Sequence, residues 1–211
     1  MTHKRLPARF RGHFAAIWLA AAVAATQLAG CALLVGGAVL GSTMVVADRR
    51  TTGAQLEDQA IELKAHNRLR DVVGDRSHVN ISSYNRAVLI TGEAANEADK
   101  ATIEQTVQRV DNVRSTVNEL EVMLPTSLAT RSNDSLLTGK VKATFIDARD
   151  LQVNAFKVVT ERGNVYLMGR VTEREATRAT ELARSVGGVQ KVVRVFEIVT
   201  EQELADSAPK K

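Results

Sequence analysis

"VLITGEA" (Val88–Ala94) and "VYLMGRVTEREA" (Val165–Ala176) are two versions of one pattern, 77 residues apart. Each is an apolar run that reaches a glycine, Gly92 or Gly169, placed where a strand end needs particular backbone geometry. Each follows a turn, Asn85-Arg86 in the first copy and Arg162-Gly163-Asn164 in the second. Before the first turn Val79 and Ile81 alternate with polar residues, and "FKVV" precedes the second. Two apolar runs around a short polar turn read as a β-hairpin.

The repeat extends outward from the hairpins. Ile61, Ala65, Leu69 and Val72 recur at helical spacing, and so do Leu137, Val141, Phe145 and Ala148, offset by 76. After the hairpins, Ile103, Val107 and Val110 share one helical face, matched by Ala179, Ala183 and Val186. A last strand closes each copy, through Val117, Leu120 and Val122 or through Val193, Phe196 and Ile198. The unit therefore reads αββαβ. It predicts an α+β fold of two tandem domains, each a three-stranded sheet packed on two helices. The expected boundaries are 54–124 for the first domain, 125–133 for a linker ("PTSLATRSN"), 134–203 for the second domain and 204–211 for a disordered tail.

Composition excludes several functions. A single cysteine, Cys31, leaves no internal disulfide and no Cys-cluster zinc site. His3, His13, His66 and His78 show no metal-ligand spacing, so no metal is expected, and His66 and His78 read as ordinary exposed or loop histidines. No Gly-rich phosphate loop, nucleophile elbow or converging acid, base and nucleophile appears, so neither an enzyme nor a small-molecule substrate is expected. The net charge of +4 comes from Lys4, Arg5, Arg9 and Arg11, and the chain after residue 30 holds 24 basic against 24 acidic residues. No nucleic-acid partner is expected.

Residues 1–13 are basic, and 14–25, "FAAIWLAAAVAA", are uncharged. Leu28-Ala29-Gly30-Cys31 follows, completing the outline of a secretory signal over 1–30. A transmembrane helix is the other reading, since Phe14 to Ala47 carries no charge and exceeds the ~20 residues that span a bilayer. That run is crowded with alanine and glycine and divides at Cys31. Leu-Ala-Gly-Cys resembles the bacterial lipobox. The resemblance implies a covalent diacylglycerol and a further acyl chain, such as palmitate, on Cys31, with no other cofactor. Several acyl chains, at about 0.8 kcal/mol per buried methylene, give lasting anchorage. Ala32 rather than aspartate follows the cysteine. By the same resemblance this implies the outer membrane, on its periplasmic face. Residues 31–53 would be the lipidated tether, unusually apolar and Gly-rich over 32–47, lying on lipid, on a partner, or free as a linker.

The strand ending in glycine, the helix after it and the turn Gly188-Val189-Gln190-Lys191-Val192 resemble the BON domain. A lipobox before two such domains resembles the dual-BON outer-membrane lipoproteins. The resemblance implies phospholipid binding without catalysis, and support of envelope integrity. It also implies that the first helix of the second domain meets the lipid, through an aromatic residue whose place here is taken by Leu136. Placed around a helix, the side opposite the core carries Leu136, Gly139, Ala143 and Ile146, flanked by Lys140 and Lys142. Such a face suits anionic headgroups. Packing of Leu136 and Ile146 on the first domain or a partner is the alternative. Residues 54–124 carry a charge of −4 and residues 131–211 carry +3, so the second domain is the one attracted to an anionic phospholipid membrane. Arg170, Arg174 and Arg178 are candidates for an added basic patch. The competing expectation is a periplasmic adaptor that contacts outer-membrane assembly proteins.

Overall fold

The computed structural model describes residues 48–207. The signal over 1–30, Cys31, most of the tether and residues 208–211 lie outside the described residues. The first domain opens with α1 (Thr52–Val72), whose N-terminus is capped by the Thr51 side chain accepting from the Ala54 amide. A 3-10 turn leads to β1 (His78–Tyr84) and β2 (Ala87–Ala94), paired antiparallel with Tyr84 opposite Ala87. Asn85 and Arg86 form the turn between them, both at positive φ (48° and 67°), as a two-residue hairpin requires. α2 (Glu97–Gln108) crosses over to β3 (Ser115–Asn118) and β4 (Glu121–Val122), both parallel to β2.

The second domain repeats this order with α3 (Leu128–Asp147), β5 (Phe156–Glu161), β6 (Asn164–Val171), α4 (Glu173–Ser185) and β7 (Lys191–Ile198). Its sheet runs β5-β6-β7, with the first pair antiparallel and the second parallel. The fold is α+β, as the repeat predicts. In the first copy the closing strand is interrupted: Ile90 pairs with Asn118 and Glu93 with Glu121, so the register is kept across a break at Glu119–Leu120.

Each domain has its own core between sheet and helices. Ile61, Ala65, Leu69, Val88, Ile90, Ile103 and Val107 make the first; Val141, Phe145, Val158, Val165, Leu167, Ala179 and Ala183 make the second. Two expected core residues are displaced, and one of them, Ala148, is only half-buried at the C-cap of α3. Val72 ends α1 exposed, and Val73, at the C-cap, is buried in its place. The two glycines lie inside their strands, which continue to Ala94 and Val171, and not at the strand ends expected. A Cβ on Gly92, at φ +109°, would come within 2.1 Å of the His78 carbonyl oxygen; Gly169 needs no unusual φ, but a Cβ there would come within 2.4 Å of the Ala155 carbonyl oxygen.

Three stretches differ from the expected boundaries. Residues 128–133, assigned to a linker, are the first turns of α3, because Ser127 accepts from the Thr130 amide and starts the helix there. Residues 204–207, assigned to a disordered tail, belong to a short helix, α5 (Glu201–Ser207), begun by Thr200 and Glu203. Residues 48–53, assigned to the tether, are anchored. Arg49 forms a two-pronged pair with Glu175, both contacts at 2.7 Å, and Arg50 bonds Asp58 at 2.8 Å while lying over the Tyr84 ring.

The described residues fall in one compact unit. The free faces of the two sheets meet. Tyr84, Leu89, Tyr166 and Met168 form a third buried cluster, edged by Val117, Val159, Val193 and Val195. Polar contacts surround it: Lys157 to Glu62 (2.6 Å), Asn85 and Arg114 to Glu197 (2.6 and 3.0 Å), and Asn80 to Glu161 (2.7 Å). Both sheets are thus covered on both faces, which is why "VLI" and "VYLM" are continuous apolar runs and not alternating ones.

Candidate functional site

α3 presents two opposite stripes. Asp134, Leu137, Val141 and Phe145 are buried. The other side carries Leu136, Gly139, Ala143 and Ile146, all exposed, with Leu136 67% and Ile146 66% accessible. Leu128, 78% accessible, lies eight residues before Leu136 and falls on the same stripe at about 100° per residue. The expected linker concealed it; the available signal was Ser127 as an N-cap, followed by a leucine. Leu128 and Ile146 thus mark the two ends of this side of the helix, with the exposed Ser132 between Leu128 and Leu136. Lys140 and Lys142 border it, both exposed, and neither makes an ion pair among the described residues. Gly139 leaves a flat place: nothing lies within 4 Å of where its Cβ would be.

The candidate basic patch is arranged differently. Arg170 is on β6 and pairs with Glu197 at 3.4 Å. Arg174 and Arg178, one turn apart on α4, pair with Glu201 (3.7 Å) and Asp150 (2.9 Å). The structure gives each arginine an acidic neighbour and does not gather the three into a free cationic surface. They are spread over a strand and a helix and are compensated by acids of other elements: Glu197 on β7, Glu201 on α5 and Asp150 in the loop after α3.

What holds α3 in register was not read from the sequence. Asp134 accepts from the amides of Arg162 and Gly163, both at 2.8 Å, so the helix is tied to the β5–β6 turn. Asp58 does the same one repeat earlier, accepting from the amides of Asn85 and Arg86 at 2.8 Å, from Ser83 Oγ at 2.6 Å and from Arg50. Burial alone would raise the Asp58 carboxyl. The hydrogen bonds from Ser83, Arg86, Arg50 and Asn85 outweigh it and hold the group below the ordinary aspartate range. An offset of 76 between two acids on matching helices, each followed by a turn, was the signal available.

α1 is the counterpart in the first domain. Leu56 and Leu63 stand exposed on it, while Lys64 and Arg68 beside them both reach Asp111, at 3.6 and 3.8 Å. His66 is exposed, and His78 is half-buried, its Nδ1 3.1 Å from Glu93 Oε2. No helix of the described residues is long and apolar enough to cross a membrane.

The BON domain family model matches residues 57–123 and again 133–200. The chain belongs to the BON-domain family. Its two copies are the two αββαβ units described above. The chain is 38% identical over 175 residues to Outer membrane lipoprotein DolP of Haemophilus influenzae, covering 81% of this chain and 89% of that one. It is 29% identical over 154 residues to a 21 kDa hemolysin of Actinobacillus pleuropneumoniae, covering 72% and 79% of the two chains. Among solved structures it is similar to CdsD, a structural protein of the type III secretion system of Chlamydia trachomatis, with 11% identity, a TM-score of 0.29, and coverage of 67% of this chain and 95% of that one. The two BON domains and the first relative set the chain among the DolP-type outer-membrane lipoproteins, held at that membrane by a lipid anchor. Neither the family nor this relative is named for an enzymatic activity.

Proposed function

We propose that this BON protein binds anionic phospholipid, without catalysis, through the outer face of α3, and supports envelope integrity from the periplasmic side of the outer membrane. Acyl chains on Cys31 supply the anchor, and the second BON domain supplies lipid recognition. The observation that carries the reading is the exposed face Leu128, Leu136, Gly139, Ala143 and Ile146, bordered by lysines with no ion pair among the described residues. Two leucines and an isoleucine, each about two-thirds exposed or more, gain roughly 1–2 kcal/mol apiece on entering an apolar phase. Lys140 and Lys142 add about 1 kcal/mol each near an anionic surface. Leucine inserts but does not favour the headgroup level as tryptophan does, so binding leans on charge and falls with salt.

The test is flotation of residues 48–211, which lack the acyl anchor, with vesicles containing phosphatidylglycerol or only zwitterionic lipid. Flotation on anionic vesicles alone, reduced about tenfold by Leu136→Asp and abolished by reversing Lys140 and Lys142, is the expected result. Flotation that is absent, or indifferent to these changes, refutes it. The adaptor reading finds its support elsewhere, on α1, where Leu56 and Leu63 lie in a domain of charge −4. That surface suits a protein of an outer-membrane assembly better than an anionic bilayer.

A further inference from the structure

At one end of the interface between the sheets three groups converge that the sequence keeps far apart. His78 and Glu93 face each other across β1 and β2, and Glu161 ends β5 of the other domain. One donor atom from each lies within 4.8 Å of the other two. Glu93 is fully buried. Its Oε2 accepts from the Thr126 amide at 3.2 Å and faces His78 Nδ1 at 3.1 Å. Its Oε1 is buried with no hydrogen-bond partner among the described residues. A buried carboxylate oxygen left unpaired keeps its full desolvation penalty, and a bound ion is one of the few things that accounts for it.

Glu161 is only 6% exposed and sits against this cluster. Burial, with the charge of Glu93 nearby, pushes its carboxyl above the ordinary glutamate range. Asn80 donates to its Oε2 at 2.7 Å and fixes its orientation. A cavity of about 230 Å³, lined by His78, Asn80, Arg131, Asp134 and Glu161 among others, gives access from one side. Glu93, Glu161 and Asp134 bring three negative charges to this region, and Arg131 returns one.

We propose that His78, Glu93 and Glu161 form a binding site for a divalent transition cation that bridges the two BON domains. One imidazole nitrogen and two carboxylates make a donor set such ions accept, with water from the cavity completing the coordination. Donors about 2.1 Å from one ion stand about 3.4 Å apart, so the cluster needs only side-chain adjustment. Thr126 and Asn80 act as the outer hydrogen bonds that orient ligating carboxylates. The ion would join two residues of the first domain to one of the second and fasten the docked sheets.

The experiment is Zn2+ titration of the untagged full-length lipoprotein in detergent after chelator treatment, followed by calorimetry and thermal unfolding. One Zn2+ per chain and a raised unfolding midpoint are expected. His78→Ala and Glu161→Gln should each weaken binding at least about tenfold. Glu161→Gln keeps an acceptor for Asn80 and removes a charge, so it should leave the metal-free midpoint unlowered. Absence of stoichiometric binding up to about 1 mM Zn2+ overturns the proposal. So does binding that both variants preserve, which would locate the ion elsewhere. A metal-free gain in stability by Glu161→Gln with no Zn2+ response in the parent would assign the site to a shared proton, and overturns it as well.

Discussion

Replacing Asp58 tests the idea that each BON unit is held in register by one helix carboxylate. In Asp58→Ala, two backbone amides, Asn85 and Arg86, lose acceptors at 2.8 Å, and the buried Ser83 hydroxyl loses one at 2.6 Å. Arg50 loses one of two acidic partners but keeps Asp48 at 2.6 Å. A buried polar group stripped of its partner costs about 1–3 kcal/mol, and the hairpin turn is partly solvated, so the sum is about 3–5 kcal/mol. Asp134→Ala strips only the Arg162 and Gly163 amides, for about 2–4 kcal/mol. The comparison is internal: same fold, same role, fewer bonds. Urea unfolding of residues 48–211 followed by far-UV circular dichroism measures both. The chain's two tyrosines, Tyr84 and Tyr166, both sit in the cluster between the sheets. Near-UV dichroism therefore reports domain docking separately. An Asp58→Ala loss under about 1 kcal/mol, or a larger loss for Asp134→Ala, would refute the reasoning.

Gly92→Ala should destabilise by about 2 kcal/mol or more, because its Cβ meets a backbone oxygen at 2.1 Å and its φ is +109°. Gly139→Ala should stabilise by about 0.5–1 kcal/mol and preserve vesicle binding, since the position is helical and open. Arg49→Ala should cost about 2–3 kcal/mol by leaving the Glu175 carboxylate, 7% exposed, with only its bonds from Thr172. Burial would raise Glu175, but Arg49 and Thr172 hold it below the ordinary glutamate range, as the bonds around Asp58 hold that group low. Carboxyls lowered by folding contribute stability above their unfolded values and lose it as pH falls through the folded ones. The parent should therefore weaken on acidification below about pH 4. Arg49→Ala should show a shallower decline, read from thermal midpoints across pH.

The repeat carried most of the fold in plain sight, because hairpin turns and helical periodicity survive duplication. What it hid follows from physical causes. Interdomain docking was illegible because burial on both faces erases the alternation that distinguishes one face from the other. In "VYLM", Tyr166 and Met168 meet the first domain while Val165 and Leu167 meet the helices, and nothing in the letters separates the pairs. Leu128 was hidden by a stretch with Pro125 and several small polar residues, in which Ser127 proves to be a cap. Arg49 was hidden because its partner is 126 residues away. The outward stripe of α3 was legible, since an exposed helix face is read by the same periodicity as a buried one.

Docking also constrains where function resides. Each sheet spends its second face on the other, so neither offers a broad surface to a third molecule. The helical layers remain, and there the two copies diverge. α3 carries Leu128, Leu136 and Ile146 beside lysines that make no ion pair among the described residues. α1 carries Leu56 and Leu63 beside Lys64 and Arg68, which Asp111 engages. Duplication supplied two equivalent helices, and charge made them unequal, with −4 over residues 54–124 and +3 over 131–211. An exchange follows. Lysines placed on α1 at the positions matching Lys140 and Lys142, which are Lys64 and His66, require only His66→Lys, with Asp111→Asn to free Lys64. If apolar stripe plus unpaired lysines is sufficient, vesicle binding lost through Leu136→Asp should be partly restored by these two changes. If it is not restored, the exposed Asn67 and Arg70, which stand on α1 where α3 has Ala143 and Ile146, cut its apolar face short, and the decisive feature is apolar length.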